Sequence, residues 1–156
     1  MLSDDVYRTK LSAAFAGIKR AADDLAGVAG VEARQDASGL RLALQPCIAG
    51  ACPMELMVRA DQRFDVEIGT EFYEDCEIGS LDDFENMIRE IAAGNVITRH
   101  YFSAATGSLL SVETIVSFAD GRQWRRGHRI SALMDRADGD AILIKDRTFL
   151  PYSRRT

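Results

Sequence analysis

The chain has 156 residues and carries 19 Lys and Arg against 24 Asp and Glu, a formal charge of −5. That length is the usual size of one domain and can bury about two-thirds of its unfolded surface without a disulfide or metal staple. A composition that is 47% apolar and 28% charged belongs to globular rather than disordered chains, and no apolar run reaches the length needed to cross a bilayer.

The opening stretch, MLSDDVYRTK, has no basic region, apolar run and small-residue cleavage site of an export signal, so a cytoplasmic location is expected. Residues 4 to 26 then read as a helix, with cap candidates at Ser3 to Asp5 and a stop at Gly27. Leu11, Phe15, Ile18, Ala22 and Leu25 share its apolar face, and Ala13, Ala14, Ala16, Ala21 and Ala26 are small enough to admit a second element. Gly17 costs that helix about 1 kcal/mol against Ala, which tertiary packing must offset.

Val31 to Gln35 is a weak strand pattern, followed by a turn at residues 36 to 39. Leu40, Leu42 and Leu44 then alternate with Arg41, Ala43 and Gln45. After a loop from Pro46 to Pro53, Met54, Leu56 and Val58 alternate with Glu55, Met57 and Arg59. Across Asp61-Gln62, Phe64, Val66 and Ile68 alternate with Asp65, Glu67 and Gly69. Such alternation describes antiparallel sheet with one packed and one wet face.

Ser80 to Gly94 reads as an amphipathic helix, 81–93, with both ends written in. Ser80 and Asp83 have capping-box spacing, and Gly94 supplies a left-handed stop. Leu81, Phe84, Ile88 and Ile91 form the stripe, with Met87 at its margin, opposite Asp82, Glu85, Asn86, Arg89 and Glu90. Burying four such side chains contributes roughly 6 to 12 kcal/mol before entropy is subtracted, so packing on the sheet is the stripe's expected role.

Period two returns in Val96 to Ser103, Leu109 to Phe118 and Gln123 to His128, separated by turns at Thr106-Gly107 and Asp120-Gly121. Residues 130 to 137 fit a short helix and a strand equally. Asp138 to Asp140 reads as a turn, Ala141 to Ile144 as a well-buried strand, and the tail after Pro151 as frayed. The expected fold is α+β over 1–156: a two-layer sandwich, mainly antiparallel sheet, with the N-terminal and central helices packed on it.

Candidate chemistry is sparse. Cys47 and Cys52 lie between two prolines and admit three readings: a redox-sensitive pair whose disulfide is worth about 2 kcal/mol, a zinc site, or ordinary loop and core thiols. Zinc would need further ligands, for which Cys76, His100 and His128 are the available side chains. Cys76 sits among Glu74, Asp75 and Glu77, which disfavour a thiolate. Neither histidine falls in a catalytic motif, and no glycine-rich phosphate loop is present. A pocket between sheet and helix near Cys76, His100, Tyr101 and His128 defines the rival reading, a small-molecule-binding protein or enzyme.

Charge is unevenly placed. From Asp65 to Glu90 the carboxylates are Asp65, Glu67, Glu71, Glu74, Asp75, Glu77, Asp82, Asp83, Glu85 and Glu90, against Arg89 alone. From residue 122 onward basic side chains lead. Arg122, Trp124, Arg125 and Arg126, in RQWRRGHR, offer a stacking and phosphate-binding patch for single-stranded nucleic acid, with Arg122, Trp124, Arg126 and His128 on one strand face. The acidic whole opposes that partner.

In layout, size and acidity, the order of elements resembles the small acidic secretion chaperones of bacteria, α/β dimers that wrap an unfolded cargo segment. No motif carries the resemblance, and no residue role follows from it. The expected function is a non-enzymatic protein-interaction module, chaperone-like or immunity-like, without a cofactor. Its contact residues would be Glu71, Glu74, Asp75, Glu77, Asp82, Asp83 and Glu85, facing a basic segment of another protein or a second copy of the chain.

Overall fold

The computed structural model describes residues 2–130 and 141–153. The described residues form two helices and nine strands, α1 (Asp4–Leu25), β1 (Ala29–Asp36), β2 (Gly39–Pro46), β3 (Met54–Arg59), β4 (Arg63–Ile68), β5 (Glu71–Glu77), α2 (Asp83–Ala92), β6 (Val96–Ser103), β7 (Leu109–Ser117), β8 (Gln123–Arg129) and β9 (Ile142–Thr148). The strands pair antiparallel in two sheets, giving an α+β fold that is mostly sheet. The ambiguous segment 131–137 and the turn at 138–140 lie outside the described residues.

The first sheet is a meander in the order β1-β2-β3-β4-β5. Its alternation works as the sequence implies: Leu40, Leu42, Leu44, Leu56, Val58, Val66 and Ile68 are buried on one face. At the β1–β2 turn Gly39 has φ +142, and a Cβ there would lie 2.0 Å from the Val58 carbonyl oxygen, so only glycine fits.

Both helices cover the buried face, in one hydrophobic cluster with it. The Tyr7 hydroxyl of α1 donates to the Arg59 carbonyl at 2.8 Å, and Phe84 of α2 meets Phe64 edge-on with centroids 5.1 Å apart. Gly17 lies where α1 meets α2, and a Cβ on it would stand 2.7 Å from Glu85 Oε2, the movable end of a side chain. Ion pairs Arg89–Asp24, at 2.9 Å, and Arg20–Glu85, at 3.7 Å, then join the two helices.

The central helix starts later than its pattern implies. Leu81 and Asp82 form a turn, and Ser80 contributes its carbonyl to the Asp83 N–H at 3.2 Å rather than its hydroxyl. Asp82 at φ −69, ψ −22 is already helical, a conformation in which a side-chain cap does not form. The far end is as expected. Gly94 has φ +85, Asn95 N–H reaches Glu90 O at 2.9 Å and Gly94 N–H reaches Ile91 O at 3.1 Å, a Schellman ending.

Strands after α2 do not extend the first sheet but form their own, in the order β8-β7-β6-β9. β5 is a poor template for extension, because its ladder is bulged opposite Phe64/Val66 and Asp75 has φ +57. That bulge also hides β5 from a period-two reading, which sees in 71–77 only acidic residues. The sheets meet where Trp124 of β8 approaches Tyr73 of β5 and Phe64 of β4, at centroid distances of 5.8 and 6.3 Å.

Two expectations near the C-terminus are corrected. β9 is exposed along its whole length, not buried, because it is the outermost strand of its sheet. Tyr152 is buried, not frayed: its N–H reaches Ala92 O at 2.7 Å and its hydroxyl donates to the Cys52 carbonyl. The chain reaches that seat by crossing Gly94, where a Cβ would stand 3.0 Å from the Phe149 carbonyl oxygen.

Candidate interaction surface

The face of the first sheet turned away from the helices carries every second residue of β1 to β4, and strand register decides which of them are neighbours. Glu32 lies opposite Ala43, Ala43 opposite Glu55, Glu55 opposite Glu67, and Glu67 opposite Phe72. One row thus crosses all five strands with three carboxylates in it. At about 4.8 Å per strand, Glu32 and Glu67 are roughly 14 Å apart along that row. Glu55 and Glu67 are directly paired, an arrangement of like charges that weakens a sheet.

Small residues beside the row open the surface. Gly30, Ala43 and Gly69 have little or no side chain, which leaves over the sheet backbone a hollow of about 510 Å³ that Glu32, Glu55 and Glu67 rim and Pro53 adjoins. Two neighbouring hollows continue it. One of about 170 Å³ shares Glu32, Ala43 and Glu55 and adds Arg34 and Arg41; one of about 360 Å³ runs past Met57 to Phe72, which is 51% exposed. Arg41 engages Glu55, whereas Glu32 and Glu67 have no ion pair among the described residues. The result is a trough floored by Gly30, Ala43, Pro53 and Gly69, with an incompletely neutralised acidic rim.

The acidic segment named from sequence is differently disposed. Glu71 faces His128 at 3.3 Å, Asp75 pairs with Arg59 and Arg63, and Glu77 lies 3.8 Å from Arg63. Asp83 meets Arg122 at 3.0 Å, and Glu85 meets Arg89 and Arg20. Glu74 and Asp82 have no ion pair among the described residues. Most of these carboxylates are therefore engaged within the chain, by Arg59, Arg63, Arg89 and Arg20, while Asp83 and Glu71 reach the basic region through Arg122 and His128.

The basic cluster is likewise engaged. Trp124, Arg126 and His128 do share a face of β8, but Trp124 packs on Tyr73 and Phe64 while His128 stacks on Tyr73 with centroids 4.4 Å apart. Arg122 precedes the strand, and Arg125 points to the opposite face, 2.7 Å from Glu113. The Arg125 hydrogen bonds, helped by one from Tyr101, hold the Glu113 carboxyl below its ordinary pKa against the opposing effect of burial. Arg99 and Asp146 complete this outer face of the second sheet, an ion pair at 2.8 Å.

Cys76 is buried on β5, and burial raises its thiol pKa. His100 and Tyr101 are consecutive on β6, so they point to opposite faces: His100 lies beside Phe102, whereas Tyr101 donates to Glu113 at 2.9 Å. These residues and His128 are not gathered about one point. Cys47 is exposed and Cys52 buried, both as free thiols, with burial pushing the Cys52 pKa up to about 12. Among the described residues no group of three or more His, Cys, Asp and Glu is placed to hold a metal ion, and no helix is long and apolar enough to cross a membrane.

Glu32 and Glu55 escape a sequence reading because each is an ordinary wet position in an alternating strand. Their alignment with Glu67 depends on register, which follows from turn geometry across three hairpins. Comparison with family models, with curated proteins and with solved structures finds no match to this chain.

Proposed function

We propose that the chain is a protein-interaction module whose trough on the first sheet binds an extended segment of another protein bearing basic side chains. The observation that carries this reading is the Glu32–Ala43–Glu55–Glu67–Phe72 row, beside which Gly30 and Gly69 leave the sheet surface open. A sheet that tolerates Glu55 opposite Glu67 gives up stability in the free state, and a cation lying over the pair recovers it.

Geometry sets the ligand's pattern. An extended segment advances about 3.3 Å per residue, so basic side chains four positions apart match the roughly 14 Å between Glu32 and Glu67. Small apolar side chains between them would lie over Ala43 and Pro53, and an aromatic or aliphatic residue beyond them would meet Phe72. The rival small-molecule reading gains less support. Leu42, Leu56, Ile88 and Ile91 are almost wholly buried at the sheet–helix interface, and the largest hollow described above opens on the other face of the sheet.

Fluorescence anisotropy with labelled 11-residue peptides tests the proposal. A peptide with two lysines four positions apart and leucine or alanine between them should bind, weakly enough to weaken further with salt. Replacing Glu32 and Glu67 together by Gln should lower its affinity about tenfold, the equivalent of 1.4 kcal/mol. Equal binding by the double variant, or no preference for this peptide over one with the lysines replaced by glutamate, would refute the reading.

A further inference from the structure

The four edge strands are not alike. β1, β5 and β8 carry charged side chains along much of their length, the usual protection against pairing with another chain. β9 opens instead with Ile142, Leu143 and Ile144, exposed by 41, 52 and 55% on consecutive positions of a strand that no other described strand pairs on its outer side. Charge begins only at Lys145.

Hydrogen-bond parity shows which β9 groups face outward. Ala104 N–H bonds to Ala141 O at 2.9 Å, and the β6–β9 register runs without a break from Ser103↔Ile142 to Ile97↔Thr148. In an antiparallel ladder the bonded pairs alternate, so Leu143 and Lys145 turn their backbone groups to β6 while Ile142 and Ile144 turn theirs to the open edge.

We infer that the partner of this edge is a second copy of β9, paired antiparallel about a two-fold axis at Leu143. That register places Leu143 opposite the partner's Leu143 and Ile142 opposite the partner's Ile144, so the outward-facing backbone groups form two bonded pairs. It is also the register in which Ile142, Leu143 and Ile144 all face apolar residues, with Lys145 opposite the small Ala141. Centring on Lys145 would set two lysines face to face, and centring on Ile144 would set Ile142 against Asp146. Strand addition joins the two second sheets into one of eight strands, with Leu143 packing on one face and the isoleucines on the other. The trough, on the first sheet, is not part of this contact.

Analytical ultracentrifugation of the full chain tests the inference. The wild type should sediment at twice the chain mass, and Leu143→Lys, which opposes two lysines, should sediment as a monomer with an unchanged circular dichroism spectrum. Register is read independently by mild oxidation in a Cys47→Ser background. Leu143→Cys should form a covalent dimer at least about tenfold faster than Ile144→Cys, because only position 143 faces itself across a non-bonded pair. A wild type that stays monomeric at high concentration, including one whose edge is taken by an extended segment of another protein, overturns the inference. So does a dimer indifferent to Leu143→Lys, or equal cross-linking at the two positions.

Discussion

The hydroxyls of Tyr73 and Thr114 share a hydrogen bond of 2.7 Å that joins β5 of the first sheet to β7 of the second, with both residues buried. Each satisfies the other in a place water does not reach. Tyr73→Phe should therefore cost about 1 to 3 kcal/mol, because it orphans the Thr114 hydroxyl. Tyr73→Phe combined with Thr114→Val removes both polar groups and should be more stable than the sum of the single changes implies. Urea denaturation of the four proteins in a double-mutant cycle measures that difference, and strict additivity would mean that the hydroxyls do not depend on one another.

Cysteine reactivity should split by burial. Cys47 is exposed, whereas burial pushes the Cys52 thiol up to about 12 and raises that of Cys76. Since the thiolate is the reactive form, a disulfide reagent at pH 8 should titrate one thiol in the native protein and three after denaturation. Cys47→Ser should remove the fast reaction entirely.

Acid should expose the role of Glu113. Its folded pKa is held below the ordinary value chiefly by the hydrogen bonds from Arg125. The carboxylate thus contributes stability in full above its unfolded pKa of about 4.3, and that contribution fades as pH falls through the lower folded value. Glu113→Gln should melt below the wild type at pH 7, and the two melting temperatures should converge between about pH 5 and pH 3. A constant gap across that range would show that the charge is not the cause.

Two glycines should differ in their tolerance of alanine. At Gly39 the added Cβ meets a backbone carbonyl oxygen at 2.0 Å and the φ of +142 is strained for any side chain, so Gly39→Ala should cost more than about 3 kcal/mol. At Gly17 it meets only the end of the Glu85 side chain at 2.7 Å, which can move aside, while helix propensity improves by about 1 kcal/mol. Gly17→Ala should be within about 1 kcal/mol of the wild type by thermal melting.

Most of the fold is legible in residue order, because local periodicity and turn chemistry agree. The strands from Leu40 to Ile68 and the ending of α2 at Gly94 follow directly from alternation and from glycine at a left-handed position. What escapes is whatever depends on contacts distant in sequence. The Asp75 bulge conceals β5, the outermost place of β9 turns an apolar run into an exposed strand, and Tyr152 is held by Cys52 a hundred positions away. The same limit applies to the surface: charge density along the chain singles out 71 to 85, whereas register aligns Glu32, Glu55 and Glu67.

Amide chemical-shift mapping of the labelled chain, titrated with the peptide bearing two lysines four positions apart, tests the proposed trough most directly. The largest changes should fall on Gly30, Ala43, Glu55, Gly69 and Phe72, in a band across β1 to β5. Changes centred instead on Glu74 and Asp82, or on Arg122 to His128, would contradict the account and return the binding site to the charged segments.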